Sequence, residues 1–245
     1  MSVRAVIRDS APAWLTNRVR GHLLTRRARR LQRSASHVSR IDEVVDIAFA
    51  FGCFQPNQIR CEVTQLLQVV AQRKPCRVLE IGSQGGGNLF LFSKVAAPDA
   101  QILSIDLNFS PVQMAAYPSL AAPTQRLTCF KGDSSAPEML RRVKAWLGGD
   151  RLDFLFIDGD HSLEGVTADY RNYAALVAPG GLIGFHDIVP DFTTRHGRKT
   201  IAVAGDAPIF WNQIKATYPE YQEFVADPEQ DGAGIGLVTW RGHST

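Results

Sequence analysis

The chain has 245 residues, of which 45% are hydrophobic and 21% charged, a composition typical of soluble globular proteins. No apolar run approaches the roughly 20 residues that a membrane helix needs. The start of the chain also lacks the apolar centre of a secretory signal. The four cysteines show no paired spacing, which excludes a zinc finger and indicates reduced thiols. These features predict a cytoplasmic protein with one sizeable domain.

Charge is distributed unevenly along the chain. Residues 1–40 contain ten arginines and one acid, whereas the rest contains 17 basic and 23 acidic side chains. We therefore predict a basic helical arm over residues 1–40 and a folded domain over residues 41–245. Apolar residues recur at helical spacing between Trp14 and Arg33. This helix either packs on the domain or on a second copy in a homodimer, or it contacts a membrane surface, a nucleic acid or an acidic partner. An organelle transit peptide is a further alternative.

The elements that follow predict an α/β fold. One helix is expected over residues 41–51, and a second begins at Asn57, a favourable N-cap. After Pro75, strand and helix patterns alternate, which predicts a parallel sheet with helices on both faces and ligands at the carboxyl ends of the strands. The predicted strands are residues 77–81, 101–106, 126–130, 152–157, 181–185, 223–226 and 234–240. The predicted helices between and after them are residues 85–97, 136–147, 163–177 and 209–218.

A glycine-rich turn follows the first of these strands. It reads Glu80-Ile-Gly-Ser-Gln-Gly-Gly-Gly-Asn88 and opens a helix, so that free backbone N–H groups face a ligand. Asp106 ends the next strand, where a carboxylate accepts hydrogen bonds from ribose hydroxyls. The GxGxxG pattern of dinucleotide sites is absent, and Glu80 suits a cationic ligand that carries an amino acid. The turn therefore indicates a nucleoside-bearing cofactor other than a dinucleotide.

A second polar cluster is expected where the fourth and fifth strands end. Asp158, Asp160 and His161 follow the fourth strand, and His186 and Asp187 follow the fifth. Converging carboxylates suit a divalent cation such as Mg²⁺, which holds and acidifies a substrate hydroxyl. His186 leaves open a softer ion such as Mn²⁺, or no metal at all.

The histidines of this region have more than one interpretation. His161 is the best-placed general base, although it alternatively caps the following helix, and Asp158 alternatively only shapes the loop. His196 is a weaker candidate base. It lies in the long polar segment 190–206, which is a candidate substrate lid.

These motifs together resemble class I S-adenosylmethionine (SAM) dependent methyltransferases. The stretches LEIGSQGGGNLFLF, ILSIDL, GDS, FLFIDGDHSLEGVTADY and APGGLIGFHDIV are similar to the group with sugar and antibiotic O-methyltransferases and cephalosporin hydroxylase-like proteins. The resemblance spans residues 58–238. It implies a Rossmann-like, seven-stranded, mostly parallel sheet whose last strand is antiparallel. One departure is Gln84, where many class I enzymes have glycine.

The resemblance also implies roles for particular residues. Glu80 and Gly82 line the methionine end of SAM, Asp106 holds the ribose, and Asp133 with Ser134 lies near the adenine. The remaining residues expected to bind the cofactor are Ser83, Gly86 and Asp158. The residues expected to hold a metal are Asp158, Asp160, His186 and Asp187.

We therefore predict an O-methyltransferase that acts on a hydroxyl of a small molecule such as a sugar, a glycan or a natural product. A hydroxylase-like relative is one rival, since His161, His186 and Asp187 imitate an iron-binding triad. A non-enzymatic scaffold or nucleic-acid partner that uses the basic arm is another. An RNA base methyltransferase is disfavoured because the fourth strand ends in Asp158-Gly-Asp160 instead of an Asn/Asp-Pro-Pro-aromatic motif.

Overall fold

The computed structural model describes residues 13–242 of the chain. The α-helices, numbered in chain order, are α1 Ala13–Ser34, α2 Ile41–Ala50, α3 Arg60–Arg73, α4 Gly87–Val95, α5 Pro111–Ala116, α6 Pro137–Leu147, α7 Leu163–Ala174, α8 Phe192–His196 and α9 Ala207–Thr217. A 3₁₀ turn, Tyr117–Leu120, follows α5. The strands are β1 Arg77–Ile81, β2 Gln101–Asp106, β3 Arg126–Lys131, β4 Leu152–Ile157, β5 Val177–His186, β6 Tyr221–Phe224 and β7 Ile235–Thr239.

The strands form one seven-stranded sheet in the order β3-β2-β1-β4-β5-β7-β6. Strands β1 to β5 are parallel, and β7 runs antiparallel to both β5 and β6. Ile81 at the end of β1 pairs with Ile105 of β2 and Ile157 of β4, and Ile157 also pairs with Phe185 of β5. The carboxyl ends of four neighbouring strands therefore lie at one edge of the sheet. The predicted Rossmann-like fold, including its antiparallel last strand, is confirmed.

Helices cover both faces of the sheet because successive strand residues point to opposite sides. Val78, Ile102 and Phe154 pack on one face with buried residues of α1, α2, α3 and α4. The adjacent positions Leu79, Leu103 and Leu155 pack on the other face with residues of α6, α7 and α9. The near-continuous apolar runs of β1, β2 and β4 are thus explained by burial on both sides.

Several element boundaries differ from the sequence prediction, among them the start of α3, the end of α7 and the start of β5. Helix α3 begins at Arg60 with Ile59 as its N-cap, instead of starting at Asn57. The side chain of Asn57 donates a hydrogen bond to Gln84, so it serves the glycine-rich turn. Helix α7 ends at Ala174 because Val177 already pairs with Leu152 in the sheet. The short helices α5 and α8 and the 3₁₀ turn were not predicted.

The second half of α1 packs on the domain. Ala28 and Leu31 are fully buried in the core, and Gln32 Nε2 donates to Ser93 Oγ at 3.0 Å. Val19 and Leu23, by contrast, are about half exposed. The first twelve residues of the predicted arm lie outside the described part of the chain. No helix within residues 13–242 combines the length and the apolar character needed to cross a membrane.

Candidate active site

A cleft of about 440 Å³ opens at the carboxyl ends of β1, β2, β3 and β4. We call it the cofactor cleft. Its walls are the loops that leave these strands, as the strand-end rule for open α/β sheets predicts. It brings together the glycine-rich turn, the end of β2 and the loops after β3 and β4. Its lining includes Gly82, Gln84, Asp106, Asp133, Ser134, Asp158, Asp160 and Asp169.

The glycine-rich turn is built for close approach between the ends of β1 and β4. Gly82 has φ +83°, and a Cβ at this position would lie 1.9 Å from the Asp158 carbonyl oxygen. Gly86, with φ +78°, is the N-cap of α4. Gln84 also has a positive φ, of 38°, a conformation that glycine adopts more readily. Its carbonyl oxygen accepts a hydrogen bond from Tyr117 Oη at 2.7 Å, which holds the residue in place.

Asp106 lies at the end of β2 and organises the turn beside it. Its Oδ2 accepts hydrogen bonds from the backbone N–H groups of Ser83 at 3.1 Å and Gln84 at 3.0 Å. Its Oδ1 accepts from Asn108 N at 2.7 Å. The carboxylate borders the cofactor cleft, and Oδ1, which accepts one bond, keeps capacity for a further donor. This is the arrangement expected of a ribose-binding acid.

Glu80 is completely buried beneath the turn. Ser83 Oγ donates to its Oε2 at 2.7 Å, but Oε1 has no partner in the described chain. Burial raises the pKa of Glu80 to about 8, and the negative charges of Asp158 and Asp106 add to this effect. Gln58 Oε1 and Asn88 Oδ1 are also buried without partners at the same turn. Unsatisfied buried acceptors fit a cationic ligand with several N–H donors, such as the amino end of SAM.

The adenine end of the predicted cofactor site lies after β3. Asp133 accepts bonds from the backbone N and the Oγ of Ser135, both at 2.8 Å, and Ser134 borders the same cleft. Asp169 of α7 also lines the cleft but is only 1% exposed. Burial raises its pKa to about 6. Asp169 was not among the residues predicted from the sequence, although an acid on the inward face of a helix was the available signal.

Three side chains from two neighbouring strand ends meet beside the cleft. We call Asp158, His161 and Asp187 the strand-end cluster. One ligand atom from each residue lies within 4.8 Å of the other two. His161 Nε2 is 3.3 Å from Asp187 Oδ2 and 3.9 Å from Asp158 Oδ1. The predicted convergence of Asp158 with Asp187 is therefore present in the structure.

His186 lies against the same two carboxylates. Its Nδ1 is 3.1 Å from both Asp158 Oδ1 and Asp187 Oδ2, whereas its buried Nε2 has no partner in the described chain. Burial acts to lower its pKa, but the two carboxylates outweigh this and raise it well above the usual value. Burial acts to raise the pKa of Asp158, but His186 and His161 hold it below its usual value. Without a metal, imidazolium charge thus balances the carboxylates.

Two other predicted residues lie outside the strand-end cluster. Asp160 is exposed, and its Oδ1 accepts a bond from Ser162 N at 2.9 Å, so the structure does not support it as a metal ligand. It lines the cofactor cleft instead. His196 ends α8, is exposed and stacks near Phe192. Ser162, not His161, caps α7 through its bond to Gly165 N.

Two unpredicted contacts fix the orientation of the cluster. Gln58 Nε2 donates to Asp158 Oδ2 at 2.8 Å, across 100 residues of sequence. His161 Nδ1 donates a hydrogen bond to Val203 O at 2.5 Å, which directs Nε2 towards the carboxylates. The segment 190–206, predicted as a lid, therefore reaches the site through the backbone of Val203. The arrangement is suited to holding a cation or a substrate hydroxyl next to the cofactor cleft.

Comparison with known proteins finds similar methyltransferases. A family described as "Methyltransferase domain" matches residues 79–188. The curated rhamnosyl O-methyltransferase of Mycobacterium leprae (strain TN) is 25% identical over 172 residues, which cover 68% of this chain and 67% of that protein.

Solved structures share the fold. The O-methyltransferase from Bacillus cereus in complex with SAH has a TM-score of 0.56 at 16% identity, covering 85% of this chain and 96% of that chain. The MycE methyltransferase of the mycinamycin pathway, in complex with Mg and SAH, has a TM-score of 0.52 at 18% identity. That match covers 83% of this chain and 54% of that one.

The fold, the cofactor cleft and the matching domain are those of class I SAM-dependent methyltransferases, which the sequence motifs resemble. One curated relative is itself named an O-methyltransferase.

Proposed function

We propose that the enzyme methylates a hydroxyl of a sugar-containing or related small molecule, held by the strand-end cluster. The observation that carries this proposal is the position of Asp158, which borders the cofactor cleft and also belongs to the cluster. An acceptor bound at the cluster therefore lies beside the reactive end of the cofactor. A rhamnosyl O-methyltransferase among the relatives, and a neighbour solved with Mg, SAH and mycinamycin VI, favour this acceptor class.

The residues of the cluster fit a divalent cation. Two carboxylates and one imidazole form a donor set that Mg²⁺ and Mn²⁺ both accept. The buried, paired histidine His186 shows that the site holds concentrated negative charge. When bound, the cation would orient the acceptor hydroxyl and lower its pKa. We assign Asp158, His161 and Asp187 as its ligands, and His186 as the charge partner that contacts two of them.

His161 has a second candidate role as the general base. Its Nε2 is the ring nitrogen available for either role, because Nδ1 is bonded to Val203 O. The nearby carboxylates of Asp158 and Asp187 raise the pKa of His161 to about 9, although burial opposes them. A group with this pKa is mostly protonated at neutral pH and cannot accept a proton there. A metal ligand must likewise be a neutral imidazole, so a bound cation would displace this proton and lower the pKa of His161.

The remaining residues align the two substrates. SAM, when bound, supplies a methyl group on a sulfonium. Asp106 and the turn at Gly82 hold the nucleoside and the amino-acid ends, while Gln58 fixes the carboxylate of Asp158. Alignment of two reactants in this way contributes several kcal/mol to methyl transfer.

Removal of divalent cations is expected to abolish methyl transfer while leaving SAM affinity unchanged. Asp106 and Glu80, which we propose to hold the cofactor, are not members of the strand-end cluster. The measurement is turnover on a sugar acceptor after treatment with excess chelator and after addition of Mg²⁺ or Mn²⁺, with calorimetry of SAM binding in parallel. Full turnover in excess chelator would show that the enzyme works without a metal.

Glu80→Gln is expected to weaken SAM binding about 10- to 100-fold, the loss of a hydrogen bond to a charged group. The same change should stabilise the free enzyme. The pKa of Glu80 is about 8 in the folded chain against an ordinary 4.5, so its contribution to stability is full below pH 4.5 and is lost as pH rises to 8. The melting temperature of the variant should therefore rise relative to that of the wild type as the pH increases from 4.5 to 8.

The matched control for this variant is Glu164→Gln, an exposed acid on α7. The measurement is the melting temperature of the wild type, Glu80→Gln and Glu164→Gln from pH 5 to about pH 8. Each kcal/mol of unfolding free energy shifts the melting temperature by about 2–4 °C. Equal melting temperatures for Glu80→Gln and the wild type at pH 8 would contradict the conclusion that Glu80 is buried with a raised pKa.

A further inference from the structure

Helix α1 has two faces of different character. The inner face packs on the domain through Gly21, Ala28 and Leu31, all buried. The outer face carries Val19 and Leu23, one helical turn apart and 53% and 51% exposed. The helix contains no acidic residue. Its exposed arginines are Arg18, Arg20, Arg26, Arg27, Arg29, Arg30 and Arg33.

The arginines of α1 are free to bind an external anion. Within the described chain, none of the seven takes part in an ion pair with an acid. A groove of about 440 Å³ runs along the helix, lined by Leu23 and five of the arginines. A second groove of about 390 Å³ continues it past Arg18, Val19 and His22. The apolar pair and the arginines therefore form one continuous surface, which we call the α1 outer face.

We propose that the α1 outer face docks the enzyme on a membrane surface rich in anionic lipid headgroups. A helix that lies in such an interface combines an apolar patch with arginines that contact the headgroup phosphates. Charge complementarity supports this partner, since ten of the 27 basic residues of the chain lie within residues 1–40. Val19 and Leu23 would enter the boundary between headgroups and acyl chains.

Other occupants of this face fit less well. From Thr16 to Ser34 the helix presents no Phe, Tyr or Trp on which a nucleic-acid base could stack. A second copy of the helix would bring like charges together. The rest of the chain has 23 acidic against 17 basic residues, so an anionic surface repels it and attracts α1. This charge distribution orients the enzyme with α1 towards the membrane.

The docking surface is connected to the cofactor cleft. Helix α5 packs beside α1, where a Cβ on Gly21 would lie 3.8 Å from Ala115 Cβ. Gln113 of α5 in turn donates to Gln84 O in the glycine-rich turn at 3.0 Å. Membrane docking thus places the cleft two helices from the lipid surface. The proposal holds whatever the acceptor of the methyl group is.

The test is sedimentation of the full-length enzyme with vesicles. Vesicles of phosphatidylglycerol and phosphatidylcholine in equal parts should bind the enzyme, and pure phosphatidylcholine should not. Binding should fall steeply as salt shortens the Debye length from about 10 Å to about 3 Å. The double variant Val19→Ser with Leu23→Ser should weaken binding about tenfold. A triple variant, with Gln in place of Arg26, Arg27 and Arg30, should weaken binding about 100-fold, since each arginine contributes roughly fivefold.

Matched controls separate docking from general effects. Ile209→Ser removes an apolar residue that is equally exposed on α9, and Arg73, Arg151 and Arg171 changed to Gln remove the same charge from the domain. Both controls should bind vesicles like the wild type, and every variant should keep wild-type SAM affinity. The proposal is overturned by absence of binding to anionic vesicles or by equal losses in the controls. Tighter binding to RNA, or dimerisation through α1 that excludes lipid, also overturns it.

Discussion

Asp187→Asn is expected to reduce turnover at least about 100-fold and to leave SAM affinity unchanged. Asp187 faces His161 and His186 within the strand-end cluster and makes no contact with the glycine-rich turn or Asp106. Asparagine is a suitable replacement, because it tolerates the positive φ of 58° at this position and keeps the acceptor for Ala233 N. The change therefore removes the charge and replaces Oδ2, which faces both histidines, with an amide N–H₂ donor.

The control for Asp187→Asn is Asp99→Asn. Asp99 is an exposed acid that precedes β2, at the opposite edge of the sheet from the cluster. The Asp99→Asn substitution removes the same charge and should leave turnover at the wild-type rate. Initial rates with saturating SAM and calorimetry of SAM binding distinguish the two sites. Normal turnover by Asp187→Asn would show that the cluster does not hold a catalytic cation.

Asp106→Ala is expected to raise the dissociation constant of SAM at least about 30-fold. This corresponds to roughly 2 kcal/mol, the contribution of one hydrogen bond to a charged acceptor. Asp106→Asn keeps an acceptor oxygen and should cost less. The measurement is a calorimetric titration of each variant with SAM.

Because Asp106 also accepts bonds from Ser83 N and Gln84 N, a structural effect has to be separated from a binding effect. Melting temperature and far-ultraviolet circular dichroism of the ligand-free variants provide this separation. A dissociation constant within twofold of the wild-type value in Asp106→Ala would contradict the assignment of this acid to the ribose.

The sequence predicted the centre of the sheet to the residue. Strands β1, β2 and β4 begin and end where their apolar runs do, because both faces are buried and each run ends at a polar loop. The positions of Asp106, Asp158 and Asp187 follow from the parallel arrangement, which brings strand ends to one edge. Local pattern and fold topology are enough for this part of the site.

Side-chain partners distant in sequence could not be predicted in the same way. Asn57 and Gln58 look like the start of a helix, yet they contact Gln84 and Asp158. The positive φ of Asp187 lets two consecutive side chains, His186 and Asp187, lie against each other, which no helix or strand pattern implies. The backbone contact of Val203 with His161 likewise depends on the folded path of a loop.

Some predictions from the sequence concern properties that the fold does not address. The division of the chain at residue 40, the homodimer and the cytoplasmic location stay predictions. The chelation and reconstitution experiment tests whether a metal is required and, if it is, whether Mg²⁺ or Mn²⁺ serves.

Calorimetric titration of the purified chain with SAM tests the central claim most directly. The cofactor cleft, with Asp106 at its edge and the unpartnered acceptors of Glu80, Gln58 and Asn88 beneath the turn, predicts saturable binding at one site per chain. Binding should weaken in both Asp106→Ala and Glu80→Gln. No heat of binding at millimolar SAM would contradict the assignment of this fold to methyl transfer.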